Sequence, residues 1–277
     1  LHIHSHYSRA TSRDLTLENT SSTSPNVVWF GSSGTTTLTG GALKNCVVRN
    51  GANTSSAIVI SDGATAGNAG YFSNLEVSNN QIEKAYIGVY ANGGTTPANG
   101  ANLTLSGNQL DTAGANAIRL CGLYAQGVNG VTVSGNTIGN FENASAENDM
   151  GIWLATGATN AVVSGNAISN LGYTGTSSYA PIGIDVTPGA ALANVNVTGN
   201  SVTGLSTSGS AAVRGIASPI AATADVVIQR NTVRGVTNNN TSTYGAYGID
   251  VTAGNSHVVK NNFVSDVKFN MTGGAAF

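Results

Sequence analysis

One phrase recurs along the sequence: apolar-x-apolar-x-x-Asn-x-apolar. Clear copies run from Leu103 to Leu110 (LTLSGNQL) and from Val131 to Ile138 (VTVSGNTI). The asparagine of the phrase falls at seven positions: Asn80, Asn108, Asn136, Asn166, Asn200, Asn231 and Asn262. Consecutive asparagines are separated by 28, 28, 30, 34, 31 and 31 residues. A period of this length indicates stacked structural units, each too small to bury its own apolar face.

A second phrase, a small residue followed by apolar-x-apolar, follows each of the first six copies. Gly151-Ile152-Trp153-Leu154 and Gly183-Ile184-Asp185-Val186 are examples. Each repeat therefore holds at least two short strands with alternating apolar residues, and no amphipathic helix lies between them. Short strands separated only by turns, at a period of about 30 residues, predict the coils of a parallel β-helix.

The two phrases together resemble the right-handed parallel β-helix repeats of the pectin-lyase-like superfamily, and in particular bacterial cell-surface β-helix modules. The resemblance implies an all-β fold, a single-stranded right-handed parallel β-helix (solenoid) of roughly nine coils. We expect one β-helix domain over residues 1–277, with irregular early coils in 1–70, regular repeats in 71–265 and a tail in 266–277, as part of a longer protein. The superfamily includes polysaccharide lyases, glycoside hydrolases, phage tailspikes and non-enzymatic surface proteins, so the fold does not select a function.

The column of asparagines has a physical role in such a coil. Stacked Asn amides can hydrogen-bond from one coil to the next, and Asn tolerates the left-handed backbone of a tight turn. Gly107, Gly135, Gly165 and Gly199 each precede one of these asparagines and suit the same corner. We therefore expect the seven asparagines to form a structural ladder.

Charge is scarce in this chain. Charged residues make up 9% of it, 11 Lys plus Arg against 13 Asp plus Glu, where globular domains average about 25%. This balance gives no basic field for nucleic acid, and no apolar run approaches the roughly 20 residues that cross a bilayer. Turns rich in Asn, Ser, Thr and Gly are typical of extracellular or cell-surface β proteins. Cys46 and Cys121 are too few for a disulfide framework and are expected to be buried, and we expect no cofactor.

The second phrase also predicts a column of outward side chains. On successive coils it reads Tyr90, Arg119, Trp153, Asp185, Ala217 and Asp250. Neighbours in the column should lie about 4.8 Å apart, which would unite Arg119, Trp153 and Asp185 in one patch. A sugar can stack its C–H face on an indole while its hydroxyls bind flanking charges. Insertions at 139–149, 169–180, 203–212 and 234–243 should rise beside this strand as a wall. The glycan-binding candidates are Tyr90, Arg119, Trp153, Asp185, Tyr173 and Tyr179.

Three interpretations of this column remain open: a solvated face of unrelated residues, noncatalytic glycan contact, and catalysis. Asp185 and Asp250, about 9.6 Å apart, could act as acid and base with Arg119 beside them, since carboxylates of inverting glycosidases lie about 6.5–9.5 Å apart. No nucleophile motif, P-loop or zinc-ligand spacing is present, nor an acidic D-x-D cluster.

The sequence therefore favours a noncatalytic extracellular module of a bacterial surface protein, structural or adhesin-type, with a polysaccharide lyase or glycoside hydrolase as the alternative. The expected partners are a polysaccharide or cell-surface glycan. Further β-helix coils or copies of the chain are also expected at the open ends, because coil ends expose unpaired strand edges.

Histidines alternate at the start of the chain. In a strand, His2, His4 and His6 would share one face about 6–7 Å apart, and two imidazoles at that spacing can hold one zinc. The segment is similar to the opening motif of the PHP phosphoesterase family, from which it departs at Arg9-Ala10. The simpler interpretation is a strand with Leu1 and Ile3 inward, which leaves His2 and His4 as a weak metal candidate.

Overall fold

A computed structural model of the chain describes residues 2–4 (backbone only), 12–23, 26–95, 98–241 and 244–270. These residues form 29 strands and one short 3-10 turn at Gly114–Asn116. In chain order the strands are β1 (His2–His4), β2 (Leu15–Glu18), β3 (Val28–Ser32), β4 (Leu38–Thr39), β5 (Ala42–Lys44), β6 (Cys46–Arg49), β7 (Ile58–Asp62), β8 (Phe72–Ser78), β9 (Gln81–Glu83), β10 (Ile87–Asn92), β11 (Gly100–Ser106), β12 (Gln109–Leu110), β13 (Cys121–Gln126), β14 (Val128–Asn129), β15 (Thr132–Ser134), β16 (Thr137–Gly139), β17 (Met150–Leu154), β18 (Val162–Ser164), β19 (Ala167–Ser169), β20 (Gly172–Tyr173), β21 (Ile182–Val186), β22 (Val195–Thr198), β23 (Ser201–Thr207), β24 (Val213–Ser218), β25 (Val226–Gln229), β26 (Thr232–Asn238), β27 (Ala246–Val251), β28 (Val258–Lys260) and β29 (Phe263–Phe269).

The strands form three parallel sheets, and each coil contributes to all three. Sheet A has the order β1-β5-β8-β11-β15-β18-β22-β25-β28, sheet B the order β2-β6-β9-β12-β16-β19-β23-β26-β29, and sheet C the order β3-β7-β10-β13-β17-β21-β24-β27. The short strands β4 and β14 extend sheet A, and β20 extends sheet B. Eight coils thus have all three strands and a ninth has two, which confirms the predicted parallel β-helix of roughly nine coils.

The phrase that contains asparagine holds two strands, because the chain bends from sheet A to sheet B inside it. The residue before the asparagine takes the left-handed backbone, as at Gly135 with a φ of 62° and Arg230 with a φ of 55°. The expectation that the asparagine itself might supply this conformation is wrong for the ladder positions. Asn160 and Asn170, with φ of 51° and 54°, have the same left-handed backbone, and Asn170 lies between β19 and β20 of sheet B.

The asparagine amides form a continuous hydrogen-bonded ladder inside the bend between sheets A and B. Asn136 Oδ1 accepts hydrogen bonds from the backbone N (2.9 Å) and Nδ2 (3.0 Å) of Asn108. Asn136 Nδ2 in turn donates to Asn166 Oδ1 and to the carbonyl oxygen of Leu105, each at 2.9 Å. Cys46 occupies the ladder position one coil earlier and donates its backbone N–H to Asn80 Oδ1. Every polar atom of these buried amides is therefore used to join one coil to the next.

The interior is filled by columns of apolar side chains, one residue from each coil. One column of sheet A has every side chain at most 1% exposed: Leu75, Leu103, Val131, Ala161, Val195 and Val226. Cys46 and Cys121 are buried, as the sequence predicted, and no disulfide joins them. Two other columns end at the last coil, where Val259 and Val264 are 49% and 43% exposed although their partners Ile228 and Val233 are fully buried. The last strand, β29, continues to Phe269, beyond the boundary that the repeats placed at residue 265.

Candidate functional site

A column of glycines shapes the outer face of sheet C. It consists of Gly88, Gly122, Gly151, Gly183, Gly215 and Gly248. A Cβ atom added at Gly151 would lie 2.5 Å from the carbonyl oxygen of Gly183 and 2.8 Å from Cγ2 of the core residue Ile168. The glycine position therefore faces inward and sits against the next coil. Because the following residue, Ile152, also belongs to the core, the usual alternation breaks here and two rows of side chains point outward.

The strand register defines these two rows. The first row runs along Ile87, Cys121, Met150, Ile182, Arg214 and Tyr247. The second row runs along Trp29, Val59, Tyr90, Tyr124, Trp153, Asp185, Ala217 and Asp250. The apolar residues at the centre of the two rows, from Ile87 and Tyr90 to Trp153 and Ile182, form a cluster of their own, separate from the interior core. The outer face of sheet C is thus mostly apolar and aromatic at its centre and charged toward its C-terminal end.

The predicted column was wrong at one coil. Tyr124, not Arg119, lies between Tyr90 and Trp153. Ala117-Ile118-Arg119-Leu120 imitates the second phrase, but it follows the 3-10 turn and precedes strand β13. The better signal was Gly122-Leu123-Tyr124-Ala125, which also begins with a small residue and alternates correctly.

The aromatic side chains of the second row contact one another along the solenoid axis. The Tyr90 and Tyr124 rings stack, with centroids 5.1 Å apart and an interplanar angle of 10°. Trp153 meets Tyr124 edge to face, at 5.0 Å and 82°. Its indole Nε1 donates a hydrogen bond to Thr187 Oγ1 one coil further along, at 2.8 Å. The tyrosine rings therefore cover one another, whereas the Trp153 indole is turned across them and extends along the axis.

Two carboxylates continue the second row, and both are more deeply buried than the predicted exposed column implied. Asp185 is 7% exposed and Asp250 is 6% exposed. They are two strands apart in register, a separation of about 9.6 Å. Asp250 Oδ2 is paired with Arg214 Nε at 2.5 Å. Asp185 Oδ1 has no hydrogen-bond partner, and burial raises the pKa of Asp185 to about 6, against the opposing charge of Arg214. Sequence reasoning missed Arg214, which lies in the first row.

Three other residues predicted to bind glycan do not contribute to the two rows of sheet C, because their side chains pair or pack with other residues. Arg119 is paired with Glu147, Nε to Oε1 at 2.6 Å, and its guanidinium carbon lies 5.4 Å from the centroid of the Tyr86 ring. The hydrogen bond that Arg119 donates to Glu147 raises the pKa of Arg119. Tyr173 is only 5% exposed and packs edge to face on Tyr179, at 5.6 Å and 78°. These tyrosines stabilise an insertion, so Tyr173 does not form a surface contact. The predicted wall is partly sheet, because strands β20, β23 and β26 run into these insertions.

Asp149 is a buried acid that sequence reasoning did not distinguish from its neighbours. It is 2% exposed, and its Oδ2 has no hydrogen-bond partner. Burial, with the nearby charges of Glu147 and Glu142, raises the pKa of Asp149 to about 9. The carboxyl group is therefore protonated at neutral pH. The sequence alone does not distinguish Asp149 from the nearby acidic residues Glu142 and Glu147 of the same polar loop.

Replacing Asp149 by Asn should remove a pH dependence from the stability of the protein. The pKa of Asp149 is higher in the folded than in the unfolded chain, so its contribution to the free energy of unfolding falls as pH rises from about 4 to about 9. We expect the Asp149→Asn variant to gain stability relative to the wild type as pH rises through that range. Urea unfolding at several pH values measures it, with Asp225→Asn as the control. Parallel pH profiles for Asp149→Asn and the wild type would show that the carboxyl is not held neutral.

The described residues contain no cluster of three or more His, Cys, Asp and Glu side chains able to hold a metal ion. Strand β1 pairs with β5, His2 opposite Ala42 and His4 opposite Lys44. The side chains of His2 and His4, and the whole of His6, lie outside the described residues. Among the helices of the described chain, none is long and apolar enough to span a membrane.

The comparison with protein families agrees with the coil geometry. The family described as "Right handed beta helix region" matches residues 26–221, more than two thirds of the chain. The chain belongs to this family. The β-helix is therefore right-handed, as the repeats predicted, and the match covers the aromatic part of the sheet C face from Trp29 to Trp153. No curated protein and no solved structure matches the chain significantly.

Proposed function

We propose that this β-helix is a noncatalytic extracellular module of a surface protein that contacts glycans through the outer face of sheet C. The orientation of Trp153 carries the proposal. Stacking covers one face of Tyr90 and one face of Tyr124, but an indole turned by 82° to its neighbour can offer a flat face to a ligand. Sugars stack on such faces through their C–H groups.

The direction of the row also suits a polymer. Tyr90, Tyr124 and Trp153 follow one another on successive coils, so the row runs along the axis of the solenoid. Asp185 lies one coil beyond Trp153 and places a polar group next to the indole in the row. An apolar platform with a few placed polar groups is the usual composition of a ligand site.

Substitution of Trp153 by Ala should weaken glycan binding about tenfold, because stacking on the indole contributes on the order of 1 kcal/mol beyond the buried area. Tyr244→Ala is a matched control, since Tyr244 is an exposed aromatic residue outside both rows. A glycan array followed by calorimetry of the best ligands measures the effect. Equal loss in both variants, or no loss in either, would contradict a role for the Trp153 platform.

Polysaccharide cleavage is the second candidate, and Asp185 favours it. A carboxyl with an unpartnered oxygen and a pKa near 6 is suited to donate or accept a proton at neutral pH. The other two candidate catalytic residues are less suited to this role, because Arg119 is paired with Glu147 and Asp250 with Arg214. Product analysis on neutral and acidic polysaccharides decides between the two functions. Release of products that Asp185→Asn abolishes would favour the enzyme, and binding without products would favour the binding module.

The exposed apolar side chains of the last coil support a further proposal about partners. Val259 and Val264 would be buried by one more coil of parallel β-structure, as their register partners Ile228 and Val233 are in the preceding coil. We propose that a further coil, from the same protein or a second copy, covers this end. Sedimentation analysis of the wild type and of Val259→Lys tests whether copies associate through it.

A further inference from the structure

A groove opens on the outer face of sheet C at Val59, the one aliphatic residue in the aromatic part of the second row, from Trp29 to Trp153. Val59 lies in register between Trp29 and Tyr90, so a short side chain stands between two aromatic residues. The groove has a volume of about 370 Å³, and Val59, Ile87, Tyr86 and Tyr90 are among the residues that line it. This volume is at the lower end of the range for small-ligand sites, about 300–1,000 Å³.

Both tyrosines are backed by the following coil, which leaves their other faces directed at the groove. The Tyr90 ring stacks on Tyr124 on its C-terminal side. The Tyr86 ring has the Arg119 guanidinium on the same side, 5.4 Å from its centroid. The groove lies on the N-terminal side of both rings, since its remaining wall comes from residues of the preceding coils. Two supported aromatic rings therefore border one cavity.

The chemistry of the lining defines the ligand. No charged side chain is among the residues that line the groove. Its rim carries hydroxyl and amide groups from Thr54, Ser55, Ser56 and Asn26. Aromatic faces with surrounding hydroxyl and amide groups match a ring that has apolar C–H faces and uncharged hydroxyls at its edge.

We propose that the groove over Val59 is a binding subsite for one neutral pyranose ring, stacked on Tyr90 and held by hydrogen bonds from the Thr54–Ser56 rim. This inference rests on the proposed function, glycan contact through the outer face of sheet C, because the pyranose in the groove would belong to a glycan that also reaches Trp153. Val59 and Trp153 are three strands apart in the second row, about 14 Å. A glycan that occupies both positions must therefore span several sugar units.

Filling the groove tests the proposal. Val59→Tyr should weaken the binding of neutral hexasaccharides at least tenfold, and Tyr90→Leu should do the same by removing the stacking surface. Val59→Thr keeps the size of the side chain and should bind like the wild type. The probes are cellohexaose, xylohexaose and mannohexaose, with hexagalacturonate as the acidic comparison, measured by calorimetry. Far-UV circular dichroism and the melting temperature show whether each variant is folded.

The outcomes separate the subsite from the wider face. Loss of binding in both groove variants but not in Val59→Thr supports the subsite. Loss in Trp153→Ala with full binding in Val59→Tyr and Tyr90→Leu overturns the subsite and leaves the proposed face intact. Loss in the groove variants alone supports the subsite and contradicts the Trp153 platform. Binding of hexagalacturonate in preference to every neutral probe, or of no probe at all, overturns the subsite.

Discussion

Replacement of Asn136 by Leu is expected to lower the free energy of unfolding by about 4 kcal/mol, since each buried polar group left unpaired costs about 1–3 kcal/mol. The substitution removes the acceptor for two donors of Asn108, its backbone N–H and its Nδ2. It also removes the donor to the Leu105 carbonyl. Leucine is close to asparagine in size, so the loss reflects hydrogen bonds more than packing. Urea unfolding followed by circular dichroism measures the effect.

Asn160→Gly is the matched control for the ladder. Asn160 also links coils through its amide, to Asn129 and from Asn194 at 2.7 Å each, but it is exposed to solvent. Glycine accepts its left-handed backbone, with a φ of 51°, without strain. We expect a loss of about 0.5 kcal/mol, the usual size for an exposed site. Equal losses at Asn136 and Asn160 would mean that burial of the amide ladder contributes nothing.

The second large effect is expected at Gly151, where Ala should lower the free energy of unfolding by about 3 kcal/mol, the upper part of the range for overpacking. The added methyl group would meet the Gly183 carbonyl oxygen at 2.5 Å, and that backbone is fixed by its own coil. Trp153 follows two residues later, so a shift of strand β17 should also weaken glycan binding.

Gly67→Ala is the control for that substitution, because a Cβ atom there meets nothing within 4 Å and the backbone has no positive φ. Thermal melts of the two alanine variants compare their stability. The binding titration of Gly151→Ala takes Tyr244→Ala as its control, because Gly67 lines the groove over Val59. A Gly151→Ala protein as stable as the wild type would show that the glycine column does not determine the spacing of the coils.

The repeats allowed the parallel β-helix to be predicted because a solenoid uses the same residue type at the same place in every coil. The asparagine positions and the apolar columns follow directly from that regularity. The third sheet was less visible, since the bend between sheets A and B lies inside a single eight-residue phrase. Its marker, the positive φ of the residue before each ladder asparagine, is shared by Gly, Asn and Arg.

The candidate site could be predicted only in part. Trp153 and Asp185 were placed correctly as neighbours in register. Arg119 was misplaced because the turn at Gly114–Asn116 delays the strand, and Ala117–Leu120 imitates it. The exposure of Asp185, Asp149 and Tyr173 could not be predicted either. It depends on neighbouring coils and insertions whose paths the sequence does not specify. The groove over Val59 appears only when the registers of β3, β7 and β10 are combined.

The most direct test uses the two tryptophans of the chain, Trp29 and Trp153. In a Trp29→Phe variant, Trp153 is the only tryptophan, so the intrinsic fluorescence reports on the proposed platform. Titration with the best neutral oligosaccharide should give a saturable change in emission, with the same dissociation constant as calorimetry. Binding by calorimetry without any change in Trp153 emission, or no binding of any glycan, would contradict the assignment of this face as a glycan-contacting surface.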